Sequence, residues 1–174
     1  MALFPQLMTN LDHWSNNGGK LVFKSYGAEL CDVDTWDLIP AAHLRLLFAA
    51  PLVIQTPKSV ISHALLHRGN LEVLAAGDLA AEGSDELSDR DRDSDDGSRA
   101  VSRCLWERSP SLVRVHDACR HISGHTPTKS VIRNRRLGTI QIDTGAVYGK
   151  RLTAIDIASF RAISVPSGYN CRNV

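Results

Sequence analysis

Three short stretches of this chain put reactive side chains where the backbone changes direction. Val60-Ile61-Ser62-His63-Ala64 is an apolar run of strand length that ends on an imidazole. Gly124-His125-Thr126-Pro127 is a strand-to-loop corner, where glycine lets the backbone bend and proline stops the extension. Leu105-Trp106-Glu107-Arg108 sets a guanidinium beside an indole. A histidine at a strand end is either a ligand or a hydrogen-bonded structural group, and a planar guanidinium holds two phosphate oxygens at once. Each stretch also has a plainer reading: a histidine tied into a turn, or a tryptophan anchoring a loop with a solvated arginine beside it.

The elements that would position these residues follow from patterning. After the Gly124 corner comes a polar loop with Lys129, Arg133, Arg135 and Arg136, then apolar Ile140 and Ile142, a turn at Asp143-Thr144-Gly145, and a strand-length run Leu152–Ile157. His116 and His121 fall in the polar approach to the corner, and His67 reads as a surface residue. Upstream, Leu7, Leu11 and Trp14 recur at helical spacing, and Asn17-Gly18-Gly19 ends that segment. Pro40 to Ala50 reads as a helix whose Leu44, Leu47 and Phe48 face a core while His43 and Arg45 face water.

From Glu82 to Arg99 the sequence collapses to Asp, Arg, Ser and Gly, which cannot bury apolar area and reads as a solvated, disordered loop. Asp91, Asp93 and Asp95 have the alternate spacing of a calcium loop. Asp96 stands where that loop requires glycine and Ser102 where it requires glutamate, so the reading fails. Residues 161–174 pattern weakly and read as a tail that frays.

With 174 residues, 43% of them hydrophobic, the chain has the content of one ordinary domain. A net charge of +1 gives no general pull towards nucleic acid or membrane, and the cluster Arg133, Arg135, Arg136 alone reads as a solvated loop. No apolar run approaches the roughly 20 residues that span a bilayer, and Met1–Asp12 lacks the pattern of a signal peptide. Cys31, Cys104, Cys119 and Cys171 form no CxxC pair, as expected for reduced thiols in a cytoplasmic protein.

Taken in order, these segments resemble the C-terminal part of calcineurin-like metallophosphoesterases of the bacterial serine/threonine phosphatase type. The resemblance is carried by Trp14…Asn17-Gly18-Gly19…Ser25-Tyr26-Gly27, by His63-Ala64 at a strand end, by Leu105-Trp106-Glu107-Arg108, and by the run from Gly124-His125-Thr126-Pro127 through Ile142-Asp143-Thr144-Gly145 to Ile157. It implies residues 1–160 as the C-terminal part of a four-layer α/β/β/α sandwich: an α/β fold with a mixed sheet flanked by helices. It implies His63 and His125 as ligands of the second of two catalytic divalent ions, with manganese the usual metal, and Arg108 facing the substrate phosphate. The implied reaction is hydrolysis of phosphoric esters on a phosphorylated protein or a small molecule such as a dinucleoside polyphosphate, by a water that two metals activate.

The chain departs from that family in two ways. Leu65 replaces a glycine after His63-Ala64, and the motifs GDxHG, GDxxDRG and GNHE occur nowhere in these residues. Those motifs supply the first metal's ligands, the bridging carboxylate and the general acid. Asp12-His13 cannot stand in for an Asp-x-His pair. Two imidazoles without carboxylates bind manganese weakly, because that ion favours oxygen ligands. At most one weak metal site is therefore expected, and negligible turnover by the chain alone. The other reading is a catalytically inactive remnant or a non-catalytic module on the same scaffold. A half-sandwich would also leave an apolar sheet face near Val60, Ile140 and Ile155 uncovered, so the expected partners include a second copy or a polypeptide supplying the N-terminal half.

Overall fold

A computed structural model describes residues 19–27, 37–76, 97–109 and 114–168. The chain divides into two compact units, Met1–Pro51 and Leu52–Val174.

In the first unit, α1 spans Lys20–Ser25 and α2 spans Ala41–Ala49. Pro40, at φ −53°, stands at the N-cap of α2, and its carbonyl accepts from the His43 and Leu44 amides, a position where proline loses nothing by lacking an N–H. Phe23 and Ile39 are buried together, with Tyr26 and Leu44 packed against them. His43 is exposed as expected, yet it is not simply solvated: its Nδ1 lies 2.8 Å from the Tyr26 hydroxyl. The segment from Phe4 to Gly18, including Asp12, His13 and Trp14, lies outside the described residues, as do the side chains of Leu47 and Phe48.

The second unit is α/β. Its main sheet holds β1 (Val53–Gln55), β2 (Ser59–Ser62), β3 (Arg120–Ser123), β4 (Ile132–Asn134) and β5 (Thr139–Gln141), in the order β1-β2-β3-β5-β4. The three central strands β2, β3 and β5 run parallel, and the two edges pair antiparallel, so the sheet is mixed. Two helices, α3 (Arg68–Ala76) and α4 (Gly97–Trp106), pack on each other. They contribute Leu71 and Cys104 to a core with Val60, Leu66, Val115 and Cys119.

Strand alternation explains the two faces. Val60 aligns with His121, and Ile61 aligns with Ile122, which aligns with Ile140. Val60 is fully buried on one face, and Ile122 and Ile140 are buried on the other. The expectation of an uncovered sheet around Val60 and Ile140 is thus corrected. The two most exposed large apolar side chains of this unit lie instead on a separate hairpin of β6 (Arg151–Ile155) and β7 (Ala162–Pro166). There Leu152 pairs with Val165 and Ala154 with Ile163, which puts all four on one face, and Leu152 and Ile163 are 61% and 71% exposed.

That hairpin also corrects the reading of residues 161–174 as a tail: Ala162–Pro166 is a strand, because every residue from Arg151 to Ile155 has a partner in it. Residues 169–174 lie outside the described residues. Most of the acidic stretch 82–99 does too, but Gly97, Ser98 and Arg99 form the first turn of α4. Patterning also missed α3, and β4 within the polar loop. β4 is only three residues long and turns back through Asn134, whose side chain accepts the Leu137 amide, and Gly138 at φ 68°, where a left-handed conformation suits glycine. No helix among the described residues is long and apolar enough to cross a membrane.

A two-histidine candidate site at the carboxyl ends of parallel strands

β2 and β3 are parallel neighbours, and each releases the chain at its carboxyl end into a histidine. This is where open α/β sheets place their sites. His63 follows β2 directly. Its carbonyl accepts from the Gly124 amide at 2.9 Å, and its own amide faces the Cys104 sulfur. The next residue, Ala64, donates its amide to the Cys104 carbonyl at 2.8 Å and accepts the Ser62 hydroxyl at 2.6 Å. Three of the four backbone polar atoms of His63 and Ala64 are therefore hydrogen-bonded, while His63 itself stays exposed.

His125 closes the other side. Its φ is 64°, a left-handed conformation that costs a non-glycine residue roughly 1–2 kcal/mol. The sequence suggested that Gly124 makes the bend; the strained residue is the histidine itself. Such strain persists only where the surroundings fix it, and it concentrates at functional sites. The result is one contact: His63 Nε2 and His125 Nδ1 lie 3.1 Å apart, with ring centroids 5.0 Å apart and the planes tilted by 59°.

α4 supplies the third side. The loop after His63 hydrogen-bonds to the end of this helix, Ala64 to the Cys104 carbonyl and Leu65 to that of Glu107 just beyond it. The negative end of the helix dipole is thus beside the histidine pair, which favours a cation there. Trp106 meets His125 edge-on, with centroids 5.7 Å apart and planes at 88°. The pKa of His125 is lowered, first by burial, then by the positive charges of His63 and Arg108, against the opposing pull of Asp143 and the Trp106 backbone. Arg108, exposed on the loop after α4, is therefore close enough for its charge to be felt at His125. Asp143 enters through the turn after β5, where its Oδ1 accepts the Gly145 amide at 2.9 Å.

The structure thus gathers His63, His125 and Arg108, which sequence reading singled out, and adds Trp106, Cys104 and Asp143. It places His121 differently from the expectation of a polar approach. His121 lies within β3 and is 1% exposed, with Nε2 2.8 Å from the Ser62 hydroxyl. Ser62 donates its one proton to the Ala64 carbonyl, so His121 must donate from Nε2. Burial pushes its pKa down to about 4. The alternation His121-Ile122-Ser123 was the available signal, since it is the period of a strand rather than of a loop. His67 is half-buried rather than superficial and faces Glu107 at 3.8 Å.

Cation binding can be tested on the donor set. Two imidazole nitrogens 3.1 Å apart, each about 2.0–2.1 Å from a shared ion, subtend an angle of roughly 95–100°, which ordinary coordination accepts. The pair fits two positions around one ion. Among the described residues no group of three or more ligating side chains occurs, and no carboxylate bridges the histidines, so the donors present do not fit a two-metal centre. No family model matches the chain, and a search of curated proteins returns no match.

Proposed function

We propose that the chain carries the C-terminal part of a calcineurin-like metallophosphoesterase site acting on phosphoric esters, within half of that family's α/β/β/α sandwich. One observation carries the reading. His63 and His125, read from sequence as ligands of one metal, sit 3.1 Å apart at the carboxyl ends of adjacent parallel strands, with the charge of Arg108 acting on the same ring.

In this reading His63 Nε2 and His125 Nδ1 hold two positions of one divalent ion, which when bound polarises a phosphoryl oxygen. Arg108 binds and orients the phosphate through its planar fork. Trp106 covers one edge of His125 and limits water there. His125 stays neutral at physiological pH because burial, with the charge of Arg108 beside it, holds its pKa down, so one of its ring nitrogens carries a lone pair. These residues supply neither a bridging carboxylate nor a general acid, so turnover requires groups from the GDxHG, GDxxDRG and GNHE motifs.

A second reading has its own support. A donor set of two imidazoles without a carboxylate suits a non-catalytic module that binds a phosphorylated partner through Arg108.

The deciding experiment measures hydrolysis of p-nitrophenyl phosphate with manganese. The chain is assayed alone and then with a polypeptide carrying the three motifs. Negligible turnover alone, and turnover by the mixture that His125→Ala abolishes, is the expected result. Robust turnover by the chain alone, or a stable but inactive complex, would overturn it.

A further inference from the structure

The end of the sheet opposite the histidine pair gathers cations from three separate loops. Lys58 precedes β2, and its carbonyl accepts the Arg120 amide at 2.9 Å, where β3 begins. The His121 amide donates to the Gly138 carbonyl at 2.9 Å, which draws the turn bearing Arg135 and Arg136 to the same end. Arg114 reaches it from the segment before β3: its guanidinium lies over Gly138, so close that a Cβ there would come within 2.9 Å of Nη2. The same guanidinium donates to the Asp117 carbonyl at 3.1 Å. Five cationic residues, the exposed Lys58, Arg135 and Arg136 and the half-buried Arg114 and Arg120, are thus placed by the backbone at the amino ends of β2, β3 and β5.

Little opposes them. Asp117 is the one carboxylate in these three loops, and it pairs with Arg68. Among the described residues none of the five pairs with a carboxylate. The wider stretch 114–168 carries nine Lys or Arg against three Asp, so the near-neutral charge of the whole chain hides a strongly basic part. None of the exposed large apolar side chains belongs to these loops. Charge without exposed large apolar side chains is the make-up of a surface that reads a phosphate backbone and ignores side chains or bases. Arginine predominates, and its fork fits phosphate oxygens in pairs. Sequence reading saw only Arg133, Arg135 and Arg136; folding brings Lys58, Arg114 and Arg120 to the same end.

We propose that this end of the sheet binds the phosphate backbone of a nucleic acid, without sequence preference. The inference does not depend on the phosphoesterase reading, because the two sites lie at opposite ends of the strands.

The test is fluorescence anisotropy with labelled single-stranded DNA, single-stranded RNA and duplex DNA of about 20 nucleotides, using the full chain. Five neutralised phosphates predict a log–log salt slope of about −3.5 on single strands, hence roughly 100-fold weaker binding between about 50 and 200 mM salt. The double variant Arg135→Glu/Arg136→Glu should lose at least about tenfold in affinity while melting like the parent. Arg161→Glu, on the β6–β7 turn, should keep most of the binding. Three results would overturn the proposal: no binding at low salt, equal binding by the double variant, or polyglutamate binding as tightly as the oligonucleotides. The last would assign the surface to acidic protein segments.

Discussion

His63 Nε2 and His125 Nδ1 meet at 3.1 Å across 62 residues of sequence. Neither is brought there by its own flexibility: His63 is pinned by its backbone, and His125 accepts a left-handed φ of 64°. The predictions below follow from how that pair is held and from what surrounds it.

The strain at position 125 has a thermodynamic signature. His125→Ala and His125→Gly both remove the imidazole, but only alanine keeps a Cβ at positive φ. The glycine variant should be about 1 kcal/mol more stable than the alanine variant in urea unfolding. Equal midpoints would mean that the backbone relaxes out of the left-handed region.

Arg108 should act on His125 through its charge. The guanidinium favours the neutral ring, so Arg108→Ala should raise the His125 pKa, followed by NMR titration of the ring protons. An unchanged titration would place Arg108 away from the site and remove its phosphate role.

His121 couples stability to pH. Its folded pKa is lowered to about 4 from 6.5, so between those values the unfolded chain takes a proton that the native chain refuses. The stability it contributes is complete above pH 6.5 and falls as pH drops towards 4, by about 3 kcal/mol over the interval. Unfolding free energies from about pH 7 to pH 4 should show this loss, and His121→Gln should flatten that part of the profile. A parallel profile in the variant would assign the acid sensitivity to other groups.

How much of this was legible in sequence depends on the range of the interactions. The end of β2 at His63 and the corner at His125 were readable because strand ends are marked locally, by apolar runs, glycine and proline. The meeting of the two histidines came only from resemblance, because no local rule pairs residues on β2 and β3. The burial of His121 was missed because the cover over that strand comes from elsewhere in the chain. β7 was missed for a similar reason: Ala162–Pro166 is mostly exposed, and its strand character comes from pairing with β6 rather than from a buried face.

The exposed hairpin face gives a separate prediction. Leu152, Ile163 and Val165 are more than half exposed on one face, and such patches promote association. Sedimentation should show self-association that the double variant Leu152→Lys/Ile163→Lys reduces. A parent chain that stays monomeric at micromolar concentration would show that this face needs no cover.

The central claim is that His63 and His125 are two ligands of one cation, and titration with cobalt(II) followed by visible absorption tests it most directly. Imidazole nitrogen suits that ion, and its spectrum reports the ligands without requiring turnover. The account predicts one ion per chain, with binding and spectrum lost in His63→Ala and in His125→Ala while both variants remain folded. Unchanged binding in either variant, or no binding by the parent chain, would contradict it.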